Sequence, residues 1–320
     1  MTPTLPGLHH VTAITADVQA NIDFYGGVLG QRLVKLTVNF DDPGSYHLYY
    51  GDELGRPGAI MTFFAWPGAH RGRVGPPQLA ATAYAVPAGS LAFWEERLKG
   101  HGVAARPATR FGEQAMSFAD PDGLRLELVA TQSPGGHPPT GGPVPPEHAI
   151  RGFHGVTLSE EGYEKTARLL TDVLGFQEAS SEGNRFRYRA AGGGFASGVD
   201  LLCVPDARPG TLGAGVVHHV AFRTPDDGQQ AAWHGVITRL GLNVSPVMDR
   251  SYFHSIYFRE PGGVLFEIAT EPPGFAADEP AARLGARLML PPWLEPHRAG
   301  IEAALPKVRL PRWQTPPPRA

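Results

Sequence analysis

Near its start the chain reads GLHHVTAITADVQANIDFYGGVLGQRLVK, and past its middle it reads GFHGVTLSEEGYEKTARLLTDVLGFQEAS. Both stretches run from a strand through a polar turn into a helix ending in Leu-Gly, and then into another strand. A second kind of unit follows each: Leu79 to Thr131 closes on DPDGLRLELVAT, and Val216 to Thr270 closes on EPGGVLFEIAT. Pro121 matches Pro261 and Glu127 matches Glu267 at a constant offset of 140. The chain is therefore four repeats of about 50 to 60 residues, paired as odd and even.

Each amphipathic helix is read from its spacing. Val18, Ile22, Tyr25 and Leu29 recur at helical intervals between Asp17 and Gly30, as do Tyr163, Ala167, Leu170 and Leu174 before Gly175. Trp233, Ile237 and Leu240 do the same between Asp226 and Gly241. Short runs rich in β-branched and aromatic residues, such as SYHLYY, GAIMTFFAW, NRFRYRA and SIYFRE, read as strands, and DPDG and EPGG read as hairpin turns. The unit is β-α-β-β-β, four times over, an α+β fold whose helices cover one sheet face and leave the other to line a cavity.

The predicted modules are 7–66, 79–131, 152–204 and 216–271. They form a first half, 1–131, and a second half, 151–271. Between the halves, residues 132–150 hold 6 Pro and 4 Gly in 19 residues and read as a semi-rigid linker. The extension 272–320 reads as two short helices separated by a Pro-Pro turn, packed on the body or on a neighbour.

Glycine and proline make up 72 of 320 residues, yet 42% of residues are apolar and net charge is −3. That is a folded, turn-rich protein rather than a disordered one. The near-neutral balance argues against a nucleic-acid or acidic-lipid partner. A single cysteine, Cys203, excludes a disulfide framework and fits a reducing cytoplasm. No signal peptide is visible in MTPTLPGLHH, and no stretch approaches the roughly 20 apolar residues of a spanning helix.

Two histidine doublets open first strands of repeats: His9-His10 in LHHVTAIT and His218-His219 in VHHVAFRT. Strand neighbours point to opposite faces, so one His of each pair can enter the concave side while the other supports it. Glu127 in LRLELVA and Glu267 in VLFEIAT interrupt apolar strands, where a carboxylate must be paired, protonated or metal-bound. For Glu127 a salt bridge to a strand Arg is expected. Glu267 shares its repeat with His219. Two His and one carboxylate with open positions suit non-haem Fe(II) and O₂ chemistry, although a catalytic Zn²⁺ uses the same donors. His10 and His154 are read as equivalent, so the site is His10, His219, Glu267 if repeats one and four pair, or His154, His219, Glu267 if three and four do. Repeat two carries Ala81 where repeat four has His219.

These doublets, the segment DRSYFHSIYFREPGGVLFEIAT and the tail LPPWLEPHRAGIEAALP resemble the vicinal oxygen chelate superfamily of glyoxalases, bleomycin resistance proteins and extradiol dioxygenases. The finer resemblance is to ring-cleaving hydroquinone and chlorohydroquinone 1,2-dioxygenases, across essentially the whole chain. It implies two open barrel-like mixed sheets with helices outside. It also implies Fe(II), with Mn or Zn admissible in purified protein, held by His10, His219 and Glu267. His9 and His218 are then supporting or proton-transfer groups, Thr12 a pocket residue, and Arg250 and Tyr257 contacts to substrate oxygen. His254 is a weaker candidate. The implied enzyme opens an aromatic diol with O₂; cysteine usage places it in the cytoplasm, and the tail and apolar edges favour a homo-oligomer. The alternatives are a glyoxalase-like metal-dependent isomerase or transferase, and a non-catalytic binder of flat aromatic ligands.

Overall fold

The computed structural model describes residues 4–132 and 135–314; parts of the expected linker and tail, residues 133–134 and 315–320, lie outside them. Every module follows the predicted order. The first is β1 (Leu8–Thr15), α1 (Val18–Ile22), β2 (Arg32–Asn39), β3 (Asp42–Gly51) and β4 (Ile60–Ala65). The second is β5 (Gln78–Pro87), α2 (Leu91–Gly100), β6 (Arg106–Arg110), β7 (Glu113–Ala119) and β8 (Arg125–Thr131). The third is β9 (Phe153–Glu160), α3 (Glu164–Arg168), β10 (Phe176–Glu182), β11 (Arg185–Ala190) and β12 (Gly198–Cys203). The fourth is β13 (Val217–Thr224), α4 (Asp227–Arg239), β14 (Met248–Asp249), β15 (His254–Arg259) and β16 (Leu265–Thr270).

The helix starts follow their capping residues. Asp17 accepts hydrogen bonds from the amides of Gln19 and Ala20, and Asp226 accepts one from Gln229. α1 and α3 each run on into a wider π-helical turn, over Asp23–Val28 and Leu169–Val173. Trp94 of α2 and Trp233 of α4 are fully buried.

The modules pair across the sequence. One eight-stranded sheet runs β14-β15-β16-β13-β1-β4-β3-β2 and joins modules four and one. The other runs β10-β11-β12-β9-β5-β8-β7-β6 and joins three and two. Each is a mixed sheet: β1 meets β13, and β9 meets β5, antiparallel, while the inner strand of each module pairs parallel with its last.

Register corrects one sequence reading. His10 faces Ile60 and Thr12 faces Thr62 across β1 and β4, whereas Gly155 faces Gly198 and Thr157 faces Asp200 across β9 and β12. Thr12 lies opposite His219, and Thr157 opposite Ala81. The counterpart of His10 is therefore Gly155, and His154 corresponds to His9. A slip of one residue moves a side chain to the other face of a strand, so the two readings are not interchangeable.

The tail also departs from expectation. Among the described residues it holds one α-helix, α5 (Arg298–Ala304). The stretch predicted as the other helix makes only a 3-10 turn at Ala281–Arg283, then runs extended so that Leu288 bridges Leu36. Gln314 hydrogen-bonds both the amide and the carbonyl of Leu33. The tail thus covers β2, an edge strand whose polar groups would otherwise stay unpaired. Among its described residues the expected linker has neither helix nor strand, but it is packed: Val144 is buried, and the His148 ring stacks on Phe93 at 4.4 Å.

A buried acid pair joins modules three and four. Thr166 Oγ1 lies 2.7 Å from Glu160 Oε2 and 2.5 Å from Glu260 Oε2, and Glu260 also accepts from the amides of Gly262 and Val264. One hydroxyl proton cannot serve two carboxylates, so Glu160 is the protonated partner and donates to Thr166. Burial, then the Glu260 charge, pushes Glu160 up to about 8. The folded state therefore holds a proton that the unfolded chain releases near pH 4.5. Stability falls as pH rises from that value towards 8, by at most about 1.4 kcal/mol per pH unit. Urea midpoints across pH 5–8 are expected to fall for the wild type and to flatten for Glu160→Gln.

Candidate metal centre

The antiparallel meeting of β1 and β13 brings both doublets to the middle of the first sheet, beside Glu267 on β16. His10 Nε2 lies 3.2 Å and His219 Nε2 2.9 Å from Glu267 Oε2, with the two Nε2 atoms 3.3 Å apart. All three residues are buried, Glu267 completely. They are the one set of three or more potential metal ligands among the described residues whose donor atoms all lie within 4.8 Å.

The outer histidines orient the inner ones. His9 Nδ1 is 2.9 Å from His10 Nδ1, and His9 Nε2 is 3.1 Å from the Thr270 carbonyl. Burial, then His10, pushes His9 down to about 3, so it is neutral near pH 7. A carbonyl only accepts, so His9 carries its proton on Nε2 and accepts on Nδ1 from His10. His10 Nε2 is thereby aimed at Glu267 Oε2 and His219 Nε2. His218 Nδ1 stands 2.8 Å from His219 Nδ1, the same arrangement in the second doublet. Burial, then His219, brings His218 down to about 3.

Glu267 completes the set. Its Oε1 accepts a short hydrogen bond from Ser255, while among the described residues its Oε2 has no well-directed hydrogen-bond donor. Burial opposes its charge, yet the flanking His10 and His219 hold the carboxyl well below its ordinary range. An ionised carboxylate facing two imidazole nitrogens needs a positive charge among them. With both Nδ1 atoms engaged outward, the donors fit a divalent metal, and the rest of its coordination shell is left to ligands from the cavity.

A cavity of about 340 Å³ opens on this cluster. Of the expected residues, Thr12, His218, Arg250 and Tyr257 line it, and His9 sits behind His10. Arg250 donates to the Tyr257 hydroxyl at 3.2 Å and to Asp41 at 3.1 Å. Burial, then the Glu267 charge, raises the Tyr257 phenol, so it stays protonated. His254 instead pairs with Asp227 at 2.6 Å and does not line the cavity. Sequence reasoning missed His47, Tyr49, Phe64 and Trp66, which also line it. Phe64 and Trp66 stack nearly parallel, 8° apart, at the cavity lining. Strand alternation in SYHLYY places His47 and Tyr49 on one face, a signal that acquires meaning only once modules one and four share a sheet.

The second sheet fills the matching positions with charge. Arg187 donates from Nε and Nη2 to both Asp200 oxygens and from Nη1 to Glu113, while Arg185 bonds Asp200 and Thr157. His154 joins this network through Glu113 at 3.0 Å. Glu127 meets Arg110 at 3.2 Å, the expected salt bridge.

A folded pair of βαβββ sheets with a two-histidine, one-carboxylate centre defines a class of metal-dependent scaffolds. The chain belongs to the Glyoxalase/Bleomycin resistance protein/Dioxygenase superfamily, whose sequence model matches residues 7–128 and 152–268. It is 51% identical over 299 residues to a Bacillus subtilis protein named "Putative ring-cleaving dioxygenase MhqO", covering 93% of this chain and 95% of that one. It is 39% identical over 297 residues to the chlorohydroquinone/hydroquinone 1,2-dioxygenase of Sphingobium indicum, covering 90% and 92%. A crystal structure from Bacillus subtilis, titled a dioxygenase with the same qualifier, superposes with a TM-score of 0.94 at 49% identity, over 97% of this chain and 99% of the other. Glyoxalase I of Zea mays, at 14% identity, shares the fold with a TM-score of 0.62, over 83% and 92%. No helix among the described residues is long and apolar enough to cross a membrane.

Proposed function

We propose that this protein is an Fe(II)-dependent ring-cleaving dioxygenase that opens a hydroquinone-type or catechol-type diol with O₂. The observation that carries the reading is the convergence of His10 Nε2, His219 Nε2 and Glu267 Oε2 at the floor of an aromatic-walled cavity. The names borne by the relatives support the reaction class.

Fe(II) held by these three residues would supply adjacent positions for a substrate oxygen and O₂ and carry the electron exchange between them. The chain's own groups do the rest. Phe64 and Trp66 fix the plane of the ring and exclude water from one side. Arg250 and Tyr257 steady negative charge on substrate oxygen. His218 stands at the cavity wall, placed to exchange the proton that leaves the diol on binding and returns on ring opening. Both atoms of O₂ enter the ring-opened product, so no external reductant is required.

The donor set also bears on the isomerase alternative. Among the described residues no second carboxylate joins the three donors, which leaves the open positions that oxygen chemistry needs. The reading includes a cytoplasmic enzyme, in line with its single free cysteine, and a homo-oligomer. Anaerobic loading with Fe(II), followed by a panel of hydroquinones and catechols under an oxygen electrode, tests it. One O₂ consumed per diol is the expected result. Absence of uptake with every diol contradicts it.

A further inference from the structure

A hydrogen-bond chain runs along the cavity wall beside the metal donors. Tyr49 OH lies 3.0 Å from His47 Nδ1, His47 Nε2 lies 2.6 Å from Thr62 Oγ1, and Thr62 Oγ1 lies 3.2 Å from Thr12 Oγ1. Two directions are open to it, and they differ in whether Tyr49 or Thr12 keeps its hydroxyl proton for the cavity that both line. Burial raises the Tyr49 phenol well above its ordinary range, so it keeps its proton, and in the inward direction it donates that proton to His47. Burial, then His10, holds His47 well below its usual value, so it is neutral and carries one ring proton. Because Nδ1 accepts from Tyr49, that proton is on Nε2 and goes to Thr62. Thr62 then donates to Thr12. The Thr12 hydroxyl is left with its own proton and, among the described residues, no protein acceptor, at the cavity wall.

We propose that Tyr49, His47 and Thr62 are positioning residues that hold Thr12 as a hydrogen-bond donor to the substrate oxygen that is not on the metal. The inference rests on the ring-cleaving reading of the site. Thr12 stands two residues along β1 from His10, about 6.6 Å at strand rise, which suits an oxygen across the ring from the metal-bound one. The second sheet provides the contrast. At the positions of Tyr49, His47, Thr62 and Thr12 it carries Arg187, Arg185, Asp200 and Thr157, joined as salt bridges around the threonine. The neutral chain therefore belongs to the half that holds the cavity and is not a property of the fold.

Tyr49→Phe removes the donor at the head of the chain. His47 is then free to carry its proton on Nδ1, which lets the hydroxyl chain reverse and turns the Thr12 proton away from the cavity.

Two measurements on the full-length protein decide the matter. In ¹⁵N-histidine NMR of the zinc-loaded protein, with His47 assigned through His47→Gln, the wild type shows the Nε2–H tautomer and Tyr49→Phe shifts it towards Nδ1–H. An Nδ1–H tautomer in the wild type overturns the proposal whatever the activity. In oxygen uptake by the Fe(II)-loaded enzyme, Tyr49→Phe and Thr12→Val each raise KM for the diol by about tenfold, with the larger part of the loss in KM rather than kcat. The double variant is no worse than Thr12→Val alone, because Tyr49 acts through Thr12. Multiplying losses, or an unchanged Tyr49→Phe, contradict the chain. A wild type that consumes no O₂ with any diol removes the ring-cleaving reading, and this inference with it.

Discussion

Glu267→Gln lowers affinity for a divalent metal by more than about 100-fold, beyond the 10–100-fold typical of losing an outer partner. His10 Nε2, His219 Nε2 and Glu267 Oε2 meet at the site, and among the described residues Glu267 Oε2 has no well-directed hydrogen-bond donor. A glutamine brings its own N–H groups to that spot. It satisfies an imidazole nitrogen directly, keeps an oxygen for Ser255, and removes the negative charge a cation would balance. The fold is retained, because the replacement matches in shape a side chain whose surroundings are otherwise unchanged. His10→Ala has an effect of similar size. His154→Ala leaves metal binding as it was, since His154 belongs to the Glu113 network of the other sheet. Metal content after dialysis and anaerobic calorimetric titration read these outcomes. Wild-type stoichiometry in Glu267→Gln, or loss of metal in His154→Ala, refutes the assignment.

Arg187→Met costs about 3–5 kcal/mol of stability without changing metal affinity. Arg187 grips both oxygens of buried Asp200 and also reaches Glu113. Burial would raise the Glu113 carboxyl, but His154 and Arg187 bring it down to about 2. Removing the guanidinium leaves Glu113 to weaker partners and Asp200 with Arg185 alone. Replacing Arg185, Arg187, Asp200 and Glu113 together by apolar residues of similar volume is far milder, because no buried guanidinium or carboxylate of the pair is then orphaned. Urea unfolding gives the cost, and metal titration shows that the two sheets divide stability and chemistry between them.

The fourfold repeat, the order of elements within each module and the donor types were legible from residues, because strand and helix periods are local properties. Pairing between modules was not. It rests on β1 meeting β13, which the repeats alone left open between His10 and His154 and which the family resemblance decided. The equivalence of those two histidines was misread by one position: the shared Val-Thr of HHVT and HGVT already sets His10 against Gly155, as the pairing register does. His47, Tyr49 and Trp66 looked like ordinary strand residues, because their role arises only where β3 and β4 curl over module four. The tail's missing helix has a physical cause as well. Gly285 adopts a φ of +72° against the Leu33 carbonyl, and the segment gains more by covering the edge of β2 than by coiling.

The central claim is that this site inserts both atoms of O₂ into an aromatic diol as the ring opens. The most direct measurement is mass spectrometry of the product formed by the Fe(II)-loaded enzyme from hydroquinone under ¹⁸O₂, quenched before aldehyde exchange with water. The account predicts a ring-opened acid carrying two labelled oxygens, formed by the wild type and not by Glu267→Gln. A product with no label, or an intact ring after O₂ has been consumed, would contradict it.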